Sequence, residues 1–234
     1  MFTEQLPIGS TKTWNFCEEA PAREGSLEVN FKLVYQGQLR ATSGSETRVR
    51  EKHAIRKVLH KQLKELWQVQ EPYAHYLKVV IPAHTQPANF AKDTKVVDIW
   101  ADQFARCGYR FLPAIRQKSL SCSLDILFLR RDHPGNLVAS GGDIDNRIKT
   151  LFDSLRMPSN CGELAGIPPD ADENPFHVLL EDDSQITKVS VATERLLTPP
   201  TTGEHIHDVH LIIGVTVNVL ELPQGWGSLS FLGS

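Results

Sequence analysis

The chain has 234 residues, 41% hydrophobic and 23% charged, with a formal net charge of −3, enough to bury a sizeable core as one domain. No apolar run approaches the ~20 residues that span a bilayer, and the start, Met1-Phe2-Thr3-Glu4-Gln5, lacks the basic and apolar regions of a secretory leader, so a soluble, cytoplasmic protein without membrane contact is expected. Cys17, Cys107, Cys122 and Cys161 are scattered with no Cys-x-x-Cys pair, which argues against a zinc knuckle or a disulfide framework and predicts reduced thiols. The charge is lopsided: residues 1–152 hold 22 Lys/Arg against 16 Asp/Glu, and residues 153–234 hold 3 against 12. An overall acidic balance therefore does not exclude a nucleic-acid partner for the first part.

In chain order, Leu27 to Tyr35 alternates apolar and polar residues, the mark of a half-buried strand. Ser43-Gly44-Ser45-Glu46 has the spacing of a capping box and opens a helix whose Ile55, Val58, Leu59, Leu63, Leu66 and Trp67 form an apolar stripe. Its other side is basic, with Lys57, Lys61 and Lys64 as candidate DNA contacts, although a solvated charged face is an equally ordinary outcome for such a pattern. The stretch 71–119 mixes prolines with a candidate strand at Tyr76–Ile81 and a candidate helix at Val96–Arg106, and reads as an insertion. Leu120 to Arg131 reads as a core strand delivering Arg130 and Arg131 to the following loop.

The next segment carries most of the chemistry. Ile144, Ile148, Leu151, Phe152 and Leu155 give a helix one apolar face, while Asp145, Lys149 and Asp153 follow at i, i+4 and i+8 on the polar side and Gly141-Gly142 and Asp143 form the turn into it. A helix start favours negative charge, but carboxylates this close repel unless a cation or proton intervenes. Residues 157–176, rich in Pro, Gly and acids, should form a long mobile loop. A second acidic knot, Glu181-Asp182-Asp183-Ser184-Gln185, then separates the apolar run Val178–Leu180 from an alternating strand at Ile186–Thr193, and Val209–Leu222 gives another. Residues 225–234 read as a flexible tail. Oxygen-rich clusters at a helix start and a strand end suit hard cations such as Mg²⁺, with Mn²⁺ as a substitute, and point to phosphoryl chemistry.

The order Asp143-x-Asp145-Asn146-x-x-Lys149, an amphipathic helix carrying Asp153, then Asp182-Asp183-x-Gln185 opening a strand resembles the RusA-type Holliday junction resolvases. The resemblance covers about half the chain. It implies an α+β fold, a mixed β-sheet flanked by helices, as a RusA-like core with insertions at 71–119 and 157–176. It also implies that Asp143, Asp145 and Asp183 bind the metal, with Asp182 the alternative for the third position, and that Lys149 assists catalysis. Arg130, Arg131 and Arg147 would hold the DNA backbone, with Asn146 and Asp153 in support; Asp153, one turn from Lys149, is expected to orient that lysine. The implied activity is Mg²⁺-dependent hydrolysis of DNA phosphodiesters at four-way junctions or other branched DNA, by a homodimer making paired nicks.

Other readings of the motif fare less well. A haloacid-dehalogenase phosphatase needs a hydrophobic strand running into the Asp pair, whereas Gly-Gly precedes it here, and an EF-hand would place Gly where Ile148 stands. A nucleotide-sugar transferase would need a nucleotide-binding α/β half upstream, and only one convincing strand–helix unit precedes the motif. A non-catalytic DNA-binding descendant is disfavoured by the presence of all three carboxylates and Lys149. His205, His207 and His210 read as turn histidines, and Cys161 has no base near it in sequence for thiol catalysis.

Overall fold

The computed structural model describes residues 29–39, 45–81, 94–116, 120–131, 143–199 and 208–219. Their order is β1 (Val29–Gly37), α1 (Ser45–Val69), α2 (Tyr73–Tyr76), α3 (Val96–Gln103), β2 (Ala105–Arg106), β3 (Tyr109–Ile115), β4 (Leu120–Arg130), α4 (Asp143–Leu155), β5 (Phe176–Leu180), β6 (Ile186–Arg195) and β7 (Val209–Val219), with 3-10 turns at Cys161–Leu164 and Asp183–Gln185. Helices and mixed sheets share one core, an α+β fold. Among the described residues, no helix is long and apolar enough to cross a membrane.

The larger sheet has the order β1-β7-β4-β6; β7 runs antiparallel to both β1 and β4, and β6 runs parallel to β4. Alternation decides its two faces. Val29, Leu33 and Tyr35 of β1, Leu124, Ile126 and Phe128 of β4, and Leu211, Ile213 and Val215 of β7 all point into the core, with Phe31 packed half-buried beside them, while the alternate residues face outward, as a period of two requires. Each fully buried Leu or Ile contributes about 1.5–3 kcal/mol, so an acid at Ile126 would open this layer.

Helix α1 covers that inner face. Ile55, Leu59, Leu63, Leu66 and Trp67 recur at helical spacing and are all buried, and the Gln62 side chain bonds both backbone groups of Val34, covering part of the free edge of β1. The Ser43 capping position lies outside the described residues. Three polar side chains on α1, His53, Arg56 and His60, are sunk to 1% exposure; the histidines face the second sheet and Arg56 donates to the Asp153 and Glu163 carbonyls.

Two strands of that second sheet, β2-β3-β5, come from the stretch 71–119 expected to be an insertion, and the third, β5, holds the apolar run before the second acidic knot. β3 pairs antiparallel with β2 and parallel with β5, and Phe176-His177-Val178-Leu179-Leu180 is buried throughout, as a strand covered on both faces must be. Described residues of this stretch, Tyr73, Trp100, Phe111, Leu112 and Ile115 among them, belong to the core. The candidate strand at Tyr76–Ile81 is replaced by the short helix α2 and a single bridge, Val80 to Lys95, because Tyr73 and Tyr76 bury best together on one helical turn beside Trp67 and Trp100. The expected helix at Val96–Arg106 stops at Gln103, where the chain turns into β2.

The mobile loop expected at 157–176 is also corrected. Met157 and Leu164 join Tyr109, Phe111, Phe176 and Val178 in a small core of their own, Cys161 forms a disulfide with Cys107, and the Tyr109 hydroxyl donates to the Ile167 carbonyl at 3.0 Å. The expectation of reduced thiols fails at this pair because two turns 54 positions apart in the chain come together, which spacing alone does not reveal. Cys122 remains a buried free thiol, its pKa pushed up to about 12 by burial.

Candidate functional site

α4 forms as its pattern demands: Leu151 and Leu155 are buried, while Ile144, Ile148 and Phe152 pack half-buried against the core. Asp143 is its first residue; the Asp143 side chain and Gly141-Gly142 lie outside the described residues. Asp145 and Asn146 are exposed. The Lys149 ammonium sits 2.9 Å from the Asp145 carboxylate, both side chains about two-thirds exposed, so this i, i+4 pair is a solvent-facing contact worth a few tenths of a kcal/mol. Its importance is the placement of a cation beside the motif carboxylate.

Asp153 behaves differently from its sequence reading. Instead of Lys149 it engages Lys52 of α1 and the Arg156 guanidinium at 3.0 Å, while its backbone carbonyl accepts from the buried Arg56 at 2.6 Å. Asp153 thus clamps α4 to α1. One helical step is 100°, so i+4 neighbours are only roughly aligned, and the neighbouring helix supplies the nearer cation. Arg147 is likewise spent on structure, donating to the Leu39 carbonyl just beyond β1.

The second acidic knot folds as a capped turn that packs against α4 and β4. The Asp182 carboxylate accepts the Ser184 amide at 3.0 Å, and Gln185 closes the capping box by accepting the Glu181 and Asp182 amides at 2.9 and 3.2 Å. The hydrogen bonds from Ser184 hold the Asp182 carboxyl below its ordinary pKa. Asp183, the neighbour, is left with an exposed side chain. The Gln of the motif is thereby explained: it is buried and fixes the turn on which Asp183 stands.

As a donor set, Asp145 and Asp183 offer hard carboxylate oxygens of the type Mg²⁺ takes while keeping much of its water. Among the described residues no group of three or more His, Cys, Asp or Glu converges; the Asp143 carboxylate, the third member of the expected set, is not among the described side chains.

The expected DNA-binding face on α1 is largely engaged by the chain itself. Lys57 bridges Asp170 at 2.8 Å and Glu173 at 3.1 Å, and Lys64 donates to the Asp172 carbonyl at 2.8 Å. Burial opposes the charge on Lys57, but its bonds to Asp170 and Glu173 outweigh that and hold its pKa above the ordinary value. Lys61 stays exposed. The acidic stretch before β5 complements this helix, a pairing visible in the sequence only as opposite charge in the two parts of the chain. Arg130 is buried at the end of β4, and Arg131 donates to the Thr198 carbonyl at 3.0 Å. A groove over Gly214, flanked by Lys32 and Lys188, lies on the outer face of the large sheet, opposite the face that α1 and α4 cover.

No family model, curated protein or solved structure matches the chain.

Proposed function

We propose that the chain is a divalent-metal-dependent endodeoxyribonuclease of the RusA type, acting on four-way junctions or other branched DNA as a homodimer. The observation that carries this reading is the packing of α4 against the Asp183–Gln185 turn, with an exposed carboxylate on each, Asp145 and Asp183, and the Lys149 ammonium beside the first. Asp143, Asp145 and Asp183 would hold Mg²⁺ or Mn²⁺. Asp183 is preferred to Asp182 because the Asp182 carboxylate is occupied as a cap. Bound there, the metal supplies an activated water and stabilises charge on the leaving oxygen.

The side chains have separable tasks. Lys149 neutralises charge growing on the phosphate, a role in which a fixed cation lowers the barrier by more than it stabilises the substrate. Of the basic side chains expected to hold the DNA backbone, Lys61 is the one best placed to touch it, being exposed, whereas Arg130 is buried and Arg131 and Arg147 donate to the Thr198 and Leu39 carbonyls. A two-fold dimer would set two such centres on opposite strands of a symmetric junction. A cytoplasmic location belongs to the same proposal; reducing conditions there would act on the Cys107–Cys161 pair. The test is incubation of the protein with four-way, nicked and linear DNA in Mg²⁺ and then in chelator. Metal-dependent nicking of branched DNA supports the reading; binding without nicking in any metal points to a non-catalytic binder instead.

A further inference from the structure

β6 lies at one edge of the large sheet. It pairs parallel with β4 on one side, and among the described residues no strand pairs with its other side. The strand is 10 residues long and mostly exposed, Val189 at 40%. Its hydrogen bonds to β4 fix which backbone groups it offers. The Leu196 amide donates to the Arg130 carbonyl, and the backbone groups of successive residues turn to opposite edges of a strand. Past the single register shift at the start of the pairing, Lys188, Ser190, Ala192 and Glu194 therefore bond toward β4. Val189, Val191, Thr193 and Arg195 turn their N–H and C=O groups to the open edge, and such an edge is a template for a further strand.

The side chains select the strand that fits. A lysine on an open edge ordinarily repels another strand, but β6 is complementary to itself. Two copies running antiparallel about a two-fold axis at Val191 place Lys188 of each opposite Glu194 of the other, and Ser190 opposite Ala192, on one face of the joined sheet. On the other face Val189 meets Thr193, and Val191 meets its own copy. Val189, Val191 and Thr193 form the hydrogen-bonded pairs with the groups they already present, and the Lys188–Glu194 pairs fall at non-bonded positions, where side chains approach most closely. Opposite charges directly across from one another stabilise such a pairing. Moving the axis by one residue sets Lys188 against Ala192 or Leu196 and loses the match.

We propose that the open edge of β6 is a dimer interface, at which two copies of this chain pair their β6 strands antiparallel and continue the large sheet from one protomer into the next. The consequence for the candidate site rests on the nuclease reading; the interface does not. β6 leaves the Asp183–Gln185 turn directly, so the two turns stand at opposite ends of the paired strands, roughly 30 Å apart along them. They are related by the kind of two-fold axis that a symmetric four-way junction shares.

Sedimentation equilibrium over a range of protein concentration compares the wild type with Val191→Pro, Lys188→Glu, Glu194→Lys and the double charge swap. Circular dichroism and melting report the fold, and nicking of a four-way junction is followed in parallel. The wild type should sediment at twice the chain mass. Val191→Pro should be a folded monomer, because proline removes an amide that points to the open edge and no bond to β4. Each single reversal sets like charges against one another at both ends of the pairing and should weaken dimerisation roughly tenfold. The double swap, and an equimolar mixture of the two single variants, should dimerise as the wild type does; these arms serve if the proline variant does not fold. A monomeric wild type overturns the proposal, and protection of its Val191 and Thr193 amides from hydrogen exchange would then place another segment of this chain on the edge. A dimer untouched by Val191→Pro or by the charge reversals overturns it as well, as do reversals that the mixture does not rescue. Lost dimerisation with undiminished nicking overturns only the link to the site, and a wild-type dimer that nicks nothing overturns the nuclease reading and leaves the interface standing.

Discussion

Protonation of the buried histidines should govern the acid stability of this fold. His53, His60 and His177 lie between α1 and β5 at 1%, 1% and 4% exposure. His53 stacks on Phe176 and shares a 3.3 Å contact with the Tyr109 hydroxyl, and His60 accepts the His177 amide at 2.8 Å through Nδ1. Desolvation lowers all three pKa values, His53 to about 4 and His177 to about 3. Arg56 and Lys57 push His53 the same way against Glu173 and Asp170, while His60 and Lys64 do so for His177. An unfolded chain binds a proton on each ring near pH 6.5, whereas the folded chain stays neutral there. Below about pH 6.5 the unfolded state therefore holds more protons, and stability falls with pH down to about 4 for His53 and about 3 for His177. Each ring contributes a limiting slope of about 1.4 kcal/mol per pH unit. His53 and His177 together remove roughly 2.5 kcal/mol between about pH 7 and about pH 5.5, and His60 adds to this in the same direction, a large part of the 5–15 kcal/mol typical of a domain. Urea unfolding followed by tryptophan fluorescence across this range measures the slope. His53→Phe, which keeps an aromatic ring on Phe176, should flatten it by about one proton's worth. An unchanged slope in that variant, or a wild-type stability flat from about pH 7 to about pH 5.5, would refute the reasoning.

Cys161→Ser, or reduction of the wild type, should cost about 4 kcal/mol, since the bond closes a loop of 54 residues; equal melting of oxidised and reduced protein would contradict this. Asp182→Ala should cost about 1 kcal/mol through the lost cap, while Asp183→Ala, an exposed site, should change stability by less than about 0.5 kcal/mol yet abolish cleavage; the reverse pattern in denaturant and nicking assays would exchange their roles. Lys149→Ala should slow single-turnover cleavage by roughly a hundredfold with junction affinity nearly unchanged, and Lys149→Arg should rescue poorly because its fork spreads the charge. Normal rates in both would leave Lys149 as a surface partner of Asp145.

Periodicity made several elements legible in advance. β1, β4, β6, β7 and α4 fall where alternation or the 3.6-residue pattern put them, to within a few residues at their ends. The sheet of β3 and β5 was not legible, because a strand buried on both faces shows no alternation and Pro113 inside β3 reads as a breaker. The burial of His53, Arg56 and His60 was hidden for a related reason: a polar residue on a helix counts as solvated until its partners, here Glu163, Tyr109 and His177, are known from the fold. At the candidate site the order of the acids and the exposed Lys149 were visible. The division of labour between Asp182 as cap and Asp183 as exposed carboxylate was not, since neighbouring acids at a turn differ only in which one meets the Ser184 amide.

The claim that the motif carboxylates run phosphodiester chemistry is tested most directly by Asp145→Asn on a labelled four-way junction. Asp145 is exposed and its ion pair with Lys149 is a surface contact, so the fold should survive the substitution and the basic side chains remain in place. The account predicts that the wild type nicks the junction in Mg²⁺ and that Asp145→Asn binds it with similar affinity but does not cut. Cutting by Asp145→Asn at the wild-type rate, or a wild type that binds the junction and cuts nothing in Mg²⁺ or Mn²⁺, would contradict it.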